Sequence, residues 1–244
     1  MKDKQSQVET GSVRRIIYPP AIGTLGTPGH EARARLFQEL GPDCTFMMGD
    51  NPALPKLPEK PSLRDFYLNR FHPRSAQHML QSASLALKAG VAEKLVLACL
   101  LHDIANGGLV GSDHGYWGAQ LIAPYVDEEV AWAVRYHQVL RFFADESVGY
   151  RYPEDYYRYF GRDYVPPPHV QREYEAAKKH RWYMSARLIT LNDDYSFDKD
   201  RTVAFDDFTD IIGRHFKQPA EGLGFDGSPV AHMWRSMIWP NNFL

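Results

Sequence analysis

The stretch "LACLLHDIANGG" (residues 97–108) sets His102 and Asp103 side by side at the end of a strongly apolar run. A run of that kind belongs in a core. An unpaired buried charge is costly there, so each group needs a partner, or the two together need a cation.

The same run predicts a buried helix, "VAEKLVLACLLHDIAN", ended by Gly107 and Gly108. Before it, "SAQHMLQSASLALKAG" spaces Met79, Ala83, Ala86 and Leu87 for one helical face and stops at Gly90. After it come "DHGYWGAQLIAPYV", expected to bend or stop near Pro124, and "DEEVAWAVRYHQVLRFFA", whose acids at 127–129 suit a helix N-terminus. An irregular aromatic region, Tyr150 to Tyr164, leads to "VPPP". A long helix, "HVQREYEAAKKHRWYMSARLITLNDD", and a short one, "AFDDFTDIIGRHF", complete the set. Upstream, a short helix is expected in "HEARARLFQELG", ended by Gly41, and the proline-rich "NPALPKLPEKPS" reads as a connector. No repeat and no strand pattern competes. The fold class is all-α: an N-terminal arm and connector over 1–62, a helical core over 63–218, and a Gly- and Pro-rich coil arm over 219–244 that packs on the core or on a second subunit.

At 244 residues the chain supports one substantial core. Its net charge of -2 gives no basis for a nucleic-acid or membrane surface, and no apolar run reaches membrane-spanning length. Two cysteines, Cys44 and Cys99, and a polar N-terminus without an apolar signal segment lead to the expectation of a cytoplasmic protein.

Four histidines fall in separate predicted helices or at their edges: His78, His102, His114 and His137. Asp103 follows His102, and Asp193 or Asp194 closes the fifth helix. Imidazoles and carboxylates converging from different helices build sites for iron, manganese or zinc, and a carboxylate shared by two cations explains a charged Asp in a core. His30, His72, His169, His180, His215 and His232 follow no such pattern. The acids of "DDYSFDKDRTVAFDD" lack the spacing and glycine of a calcium loop. The tyrosine-rich "YRYPEDYYRYFGRDY" suits either a cover over a pocket or a subunit contact.

The order His78, His102-Asp103, Asp193 resembles the signature of the HD-domain superfamily. The phrases "QHMLQSASLALKAG", "LVLACLLHDI", "DHGYWGAQ", "VRYHQVLRFF" and "LNDD", over roughly residues 66–200, are similar to the HD-type mixed-valent diiron oxygenases. That group holds the dioxygenase of 2-amino-1-hydroxyethylphosphonate, with myo-inositol oxygenase more distant. The resemblance implies two irons, Fe(II) and Fe(III). One would be held by His78, His102, Asp103 and Asp193, the other by His114 and His137, with Asp103 as bridge. It also implies a small-molecule substrate, dioxygen as co-substrate, and cleavage of a C–C or C–P bond. Arg141, four residues after His137, stands where those oxygenases carry a cation that meets an anionic substrate.

Two departures separate this chain from the phosphonate-cleaving relatives. Asn106 stands where they have another histidine, and "LNRFHPRSAQH" lacks their glutamate. Tyr67, Arg74, Asn106 and Arg141 are therefore expected to line a pocket for some other small, oxygenated, anionic molecule. The alternative is a phosphohydrolase of the same superfamily acting on a phosphoester or nucleotide. A third reading, from another class, is a binding protein whose metal is structural.

Overall fold

The computed structural model describes residues 15–17, 44–46, 55–109, 111–194 and 196–239. The chain divides into two units, residues 1–56 with 239–244, and residues 57–238. In the first, β1 (Arg15–Ile17) pairs in parallel with β2 (Cys44–Phe46), Ile16 opposite Thr45. These three-residue strands depart from the all-helical expectation only locally. The helix expected in "HEARARLFQELG" lies outside the described residues.

The second unit is helical. It contains α1 (Leu63–Asn69), α2 (Pro73–Lys88), α3 (Glu93–Leu101), α4 (Ile104–Gly108), α5 (His114–Ile122) and α6 (Glu128–Leu140). These are followed by α7 (Glu154–Phe160), α8 (Pro168–Lys178), α9 (Tyr183–Asp193), α10 (Thr209–His215) and α11 (Ala231–Ile238). A reciprocal cap starts α1: the Asp65 carboxylate accepts from the Ser62 backbone N–H at 2.7 Å, and the Ser62 hydroxyl accepts from the Asp65 N–H. Pro73 opens α2, where a missing N–H costs nothing. Its apolar face (Ala76, Met79, Leu80, Ala83, Ala86) is buried, and in α3 every residue from Leu95 to Leu101 is buried. Helix α6 packs against α5 and α9, and α2 packs against α3 and α9. No helix among the described residues is long and apolar enough to cross a membrane.

Several boundaries differ from the sequence reading. The helix expected through residue 106 breaks at His102-Asp103, where Asp103 leaves helical geometry (φ -105°, ψ 17°) before α4 begins. The long fifth helix is two, α8 and α9, separated at residues 179–182, where the His180 ring accepts from the Trp182 N–H at 3.2 Å and stacks on Trp132 at 4.3 Å. The aromatic region contains α7. The C-terminal stretch is not coil: α11 buries Trp234 completely, its indole N–H donating to the Leu121 carbonyl at 3.2 Å and its ring meeting Phe66 edge-on at 4.7 Å.

Candidate metal centre

The break after α3 is what builds the site. His102 ends α3 still in helical geometry, while Asp103 turns out of the ladder, so adjacent residues serve two sides of one cluster. His78 comes from the middle of α2, His137 from the last turn of α6 and Asp193 from the end of α9. His114 opens α5, entered through Asp113 at φ +49°, a left-handed conformation that Asp tolerates better than most residues. The next residue must be glycine: a Cβ on Gly115 would lie 2.8 Å from the Arg135 carbonyl oxygen, so its absence lets α5 approach α6 and brings His114 to His137. The Gly115 N–H also donates to the Gln138 side chain at 2.9 Å.

All four imidazoles are buried, and each is tied down through Nδ1. His102 donates to the Cys99 carbonyl at 2.7 Å, His137 to the Val134 carbonyl at 2.5 Å and His114 to the Gly111 carbonyl at 3.2 Å. His78 Nδ1 meets the Ser196 carbonyl at 3.2 Å and the Ser196 hydroxyl at 2.8 Å. That hydroxyl spends its own proton on the Asp193 carbonyl, so it accepts from the ring. With Nδ1 engaged in each ring, Nε2 is the atom each presents to the centre.

Those atoms converge. His78 Nε2 lies 3.1 Å from His102 Nε2 and 2.8 Å from Asp193 Oδ1, with His102 Nε2 3.5 Å from the same oxygen. Around Asp103, Oδ1 is 3.1 Å from His114 Nε2, 3.7 Å from His137 Nε2 and 3.9 Å from His102 Nε2, while Oδ2 is 3.7 Å from His78 Nε2. The Nε2 atoms of His114 and His137 are buried and make no hydrogen bond. Atoms this close need positive charge between them, as a proton or as a metal cation. Donors about 2.1 Å from one metal and at right angles to each other sit roughly 3 Å apart, the spacing found here. The donor set suits a borderline divalent metal, and it forms two groups that share His102, namely His78/His102/Asp193 and His102/Asp103/His137; His114 belongs to neither but reaches Asp103 Oδ1 at 3.1 Å.

The electrostatics carry the same tension. Burial opposes the charge on Asp193 and Asp103, yet the neighbouring imidazoles hold both carboxyls well below the ordinary range. Burial also disfavours charge on His102, but Asp103 and Asp193 outweigh it and push that ring up to about 9. His137 goes the other way, down to about 4: burial dominates, with Asp103 opposing and the His102 and His114 charges adding to it.

Residues 75–157 match the family described as HD domain. This segment is an HD domain. HD domains bind divalent metals and are generally metal-dependent enzymes, hydrolases or related activities. The matched segment carries His78, His102, Asp103, His114 and His137; Asp193 lies beyond it and is brought in by α9. Comparison with curated proteins gives no match.

Of the acid pair, Asp193 meets the histidines, while Asp194 forms no ion pair with them and burial beside Asp193 pushes its carboxyl up. Asn106 is exposed and donates to Asp103 Oδ2 at 3.3 Å, steadying that carboxylate from outside. Arg141 caps α6, its guanidinium over the Phe142 ring at 5.3 Å and the Tyr156 ring at 5.5 Å. Its Nε is buried without a hydrogen-bond partner, and it forms no ion pair with the described residues. Of the other two expected pocket residues, one lies in the core and one is exposed. Tyr67 is a core residue, 4% exposed, its hydroxyl donating to the Leu100 carbonyl and its ring packed on Phe71 and Phe205. Arg74 is exposed in the first turn of α2, and its guanidinium bonds to none of the described residues.

Ser196 and Phe197 did not stand out in the sequence, yet Phe197 stacks flat on the His78 ring at 4.1 Å. Arg187 is the larger omission. Fully buried in α9, it donates to the Leu140 carbonyl at 3.0 Å, to the Phe143 carbonyl at 3.1 Å and to the Tyr183 hydroxyl. It thereby caps the end of α6, the helix of His137, from the helix of Asp193. A charged residue amid "MSARLITL" was the available signal.

Proposed function

We propose that this HD domain is a two-iron oxygenase that cleaves a C–C or C–P bond of a small, hydroxylated, anionic substrate. The observation that carries the reading is the pair of buried, unbonded Nε2 atoms on His114 and His137 beside Asp103, which adds a second cation position to that of His78, His102 and Asp193. Two irons there would supply Lewis acidity and the electrons to activate dioxygen. The chain does the rest. Asp103 holds the two positions together, and the Nδ1-to-carbonyl bonds lock ring orientation. The imidazoles are at most 5% exposed, whereas the side chains of Asp103 and Asp193 keep 13% and 11%, so access is from the carboxylate side. Arg141, one turn beyond His137, offers an uncommitted guanidinium to an anionic group. That cation and the phrases shared with the diiron oxygenases favour oxygenase over phosphohydrolase.

The test is a paired assay on iron-loaded protein. Oxygen uptake with a vicinal diol or 1-hydroxyphosphonate, absent without substrate and abolished by His137→Ala, is expected. Phosphate release from nucleotides without oxygen uptake contradicts the reading and establishes the hydrolytic alternative.

A further inference from the structure

The aromatic segment between α6 and α8 is held in place from both ends of its first turn. Asp145 and Tyr150 form an isolated antiparallel bridge, and the Tyr150 hydroxyl donates to the Arg141 carbonyl at 2.9 Å. Arg187 lies over the Tyr150 ring at 4.6 Å, and Tyr183 donates to the Asp145 carboxylate at 2.5 Å. This frame delivers α7, and of its residues Tyr156 is turned towards Arg141. Arg141 thus lies over both the Phe142 and Tyr156 rings, whose centroids are 6.2 Å apart, with a buried N–H that has no acceptor. Tyr156 is half-buried, and its hydroxyl donates to none of the described residues. Burial raises its phenol well above the ordinary value, with Arg141 opposing and Asp193, Asp194 and Asp103 adding to the rise. All three carboxylates are therefore within electrostatic reach of the phenol.

We infer that Tyr156 is a substrate-contacting and positioning residue of the metal centre: its ring fixes the plane of the Arg141 guanidinium, and its hydroxyl is a second donor to the same bound oxyanion. The inference rests on the reading of Arg141 as the anion anchor and adds a residue to it. A neutral phenol and a guanidinium, neither donating to a described residue, suit a tetrahedral or planar oxyanion that also reaches the cations. Ring and hydroxyl make separable contributions.

The experiment is calorimetric titration of methylphosphonate into the full-length, manganese-loaded protein, with manganese counted for each variant. Arg141→Ala is expected to weaken binding by at least about tenfold, Tyr156→Ala by about tenfold and Tyr156→Phe by roughly three- to fivefold, with metal content unchanged. Wild-type affinity in both Tyr156 variants, alongside weakened Arg141→Ala, overturns the inference and leaves the anion anchor standing. Absent binding by the wild type, or full binding by Arg141→Ala, removes the anchor and the inference together. Should Tyr156→Ala lose metal or fail to fold, the Tyr156→Phe affinity decides.

Discussion

Helix α3 carries a histidine–carboxylate cluster at each end, and the two are opposites. At its start, Glu93 takes two bonds from Arg214, at 2.6 and 2.8 Å, and one contact from His215 at 3.0 Å, all close to solvent. At its end, His102 and Asp103 sit among three further buried imidazoles and a second carboxylate, with the Nε2 atoms of His114 and His137 buried and unbonded. Residue types are nearly shared. What separates a surface ion-pair network from a metal centre is whether the polar atoms satisfy one another: the first cluster is complete without a guest, and the second is not.

The largest effect is expected from removing the shared carboxylate. Asp103→Ala should reduce bound metal from about two per chain to below one and cut activity by at least about a thousandfold. It should also remove the metal's contribution to stability, on the order of 4 kcal/mol at saturating metal, about 10 °C in Tm for a chain of this size. Metal analysis and thermal melts with and without chelator check this, and unchanged metal content would erase the contrast between the two ends of α3.

Next comes Arg187→Met, which strands the Leu140 and Phe143 carbonyls. Denaturant unfolding should show a loss of about 3–5 kcal/mol, because buried acceptors are left unpaired and a buried cation's network is broken. A loss below about 1 kcal/mol would show that α6 and α9 hold together without it. Ser196→Ala is milder. It deletes one of two acceptors at His78 Nδ1 and should weaken metal binding about tenfold with the fold intact, as titration with a competing chelator would reveal.

The smallest effect lies at the other end of α3. Arg214 and His215 hold the Glu93 carboxyl at about 2, against an ordinary 4.5. A lowered carboxyl contributes stability that is complete above the ordinary value and fades as pH falls from about 4.5 towards 2. Glu93→Gln should remove a small stabilisation that is complete near pH 7, so variant and wild type converge as pH falls from about 4.5 towards 2, with no change in metal content. Metal loss in this variant would mean that the two ends communicate.

The sequence disclosed the helical class and the convergent ligands because both rest on local signals: apolar periodicity for α2, α3 and α6, and histidines embedded among apolar neighbours. It concealed the break at His102-Asp103, since "LLHDIAN" contains no glycine or proline and tertiary ligand geometry ends the helix. Chain proximity to His78 did not give side-chain direction for Tyr67 and Arg74, one of which is buried and the other exposed. The hydroxyl of Tyr67 is spent on Leu100. Arg187 and Trp234 stayed hidden because what holds them, the Leu140 and Leu121 carbonyls, is remote in the chain.

The most direct measurement is electron paramagnetic resonance on anaerobically iron-loaded, partly reduced protein, with iron counted on the same sample. A coupled half-integer signal at about two irons per chain, lost in Asp103→Ala, is the result expected of two cations sharing one carboxylate. A single iron per chain, or two irons giving only isolated-ion signals that Asp103→Ala leaves unchanged, would contradict it.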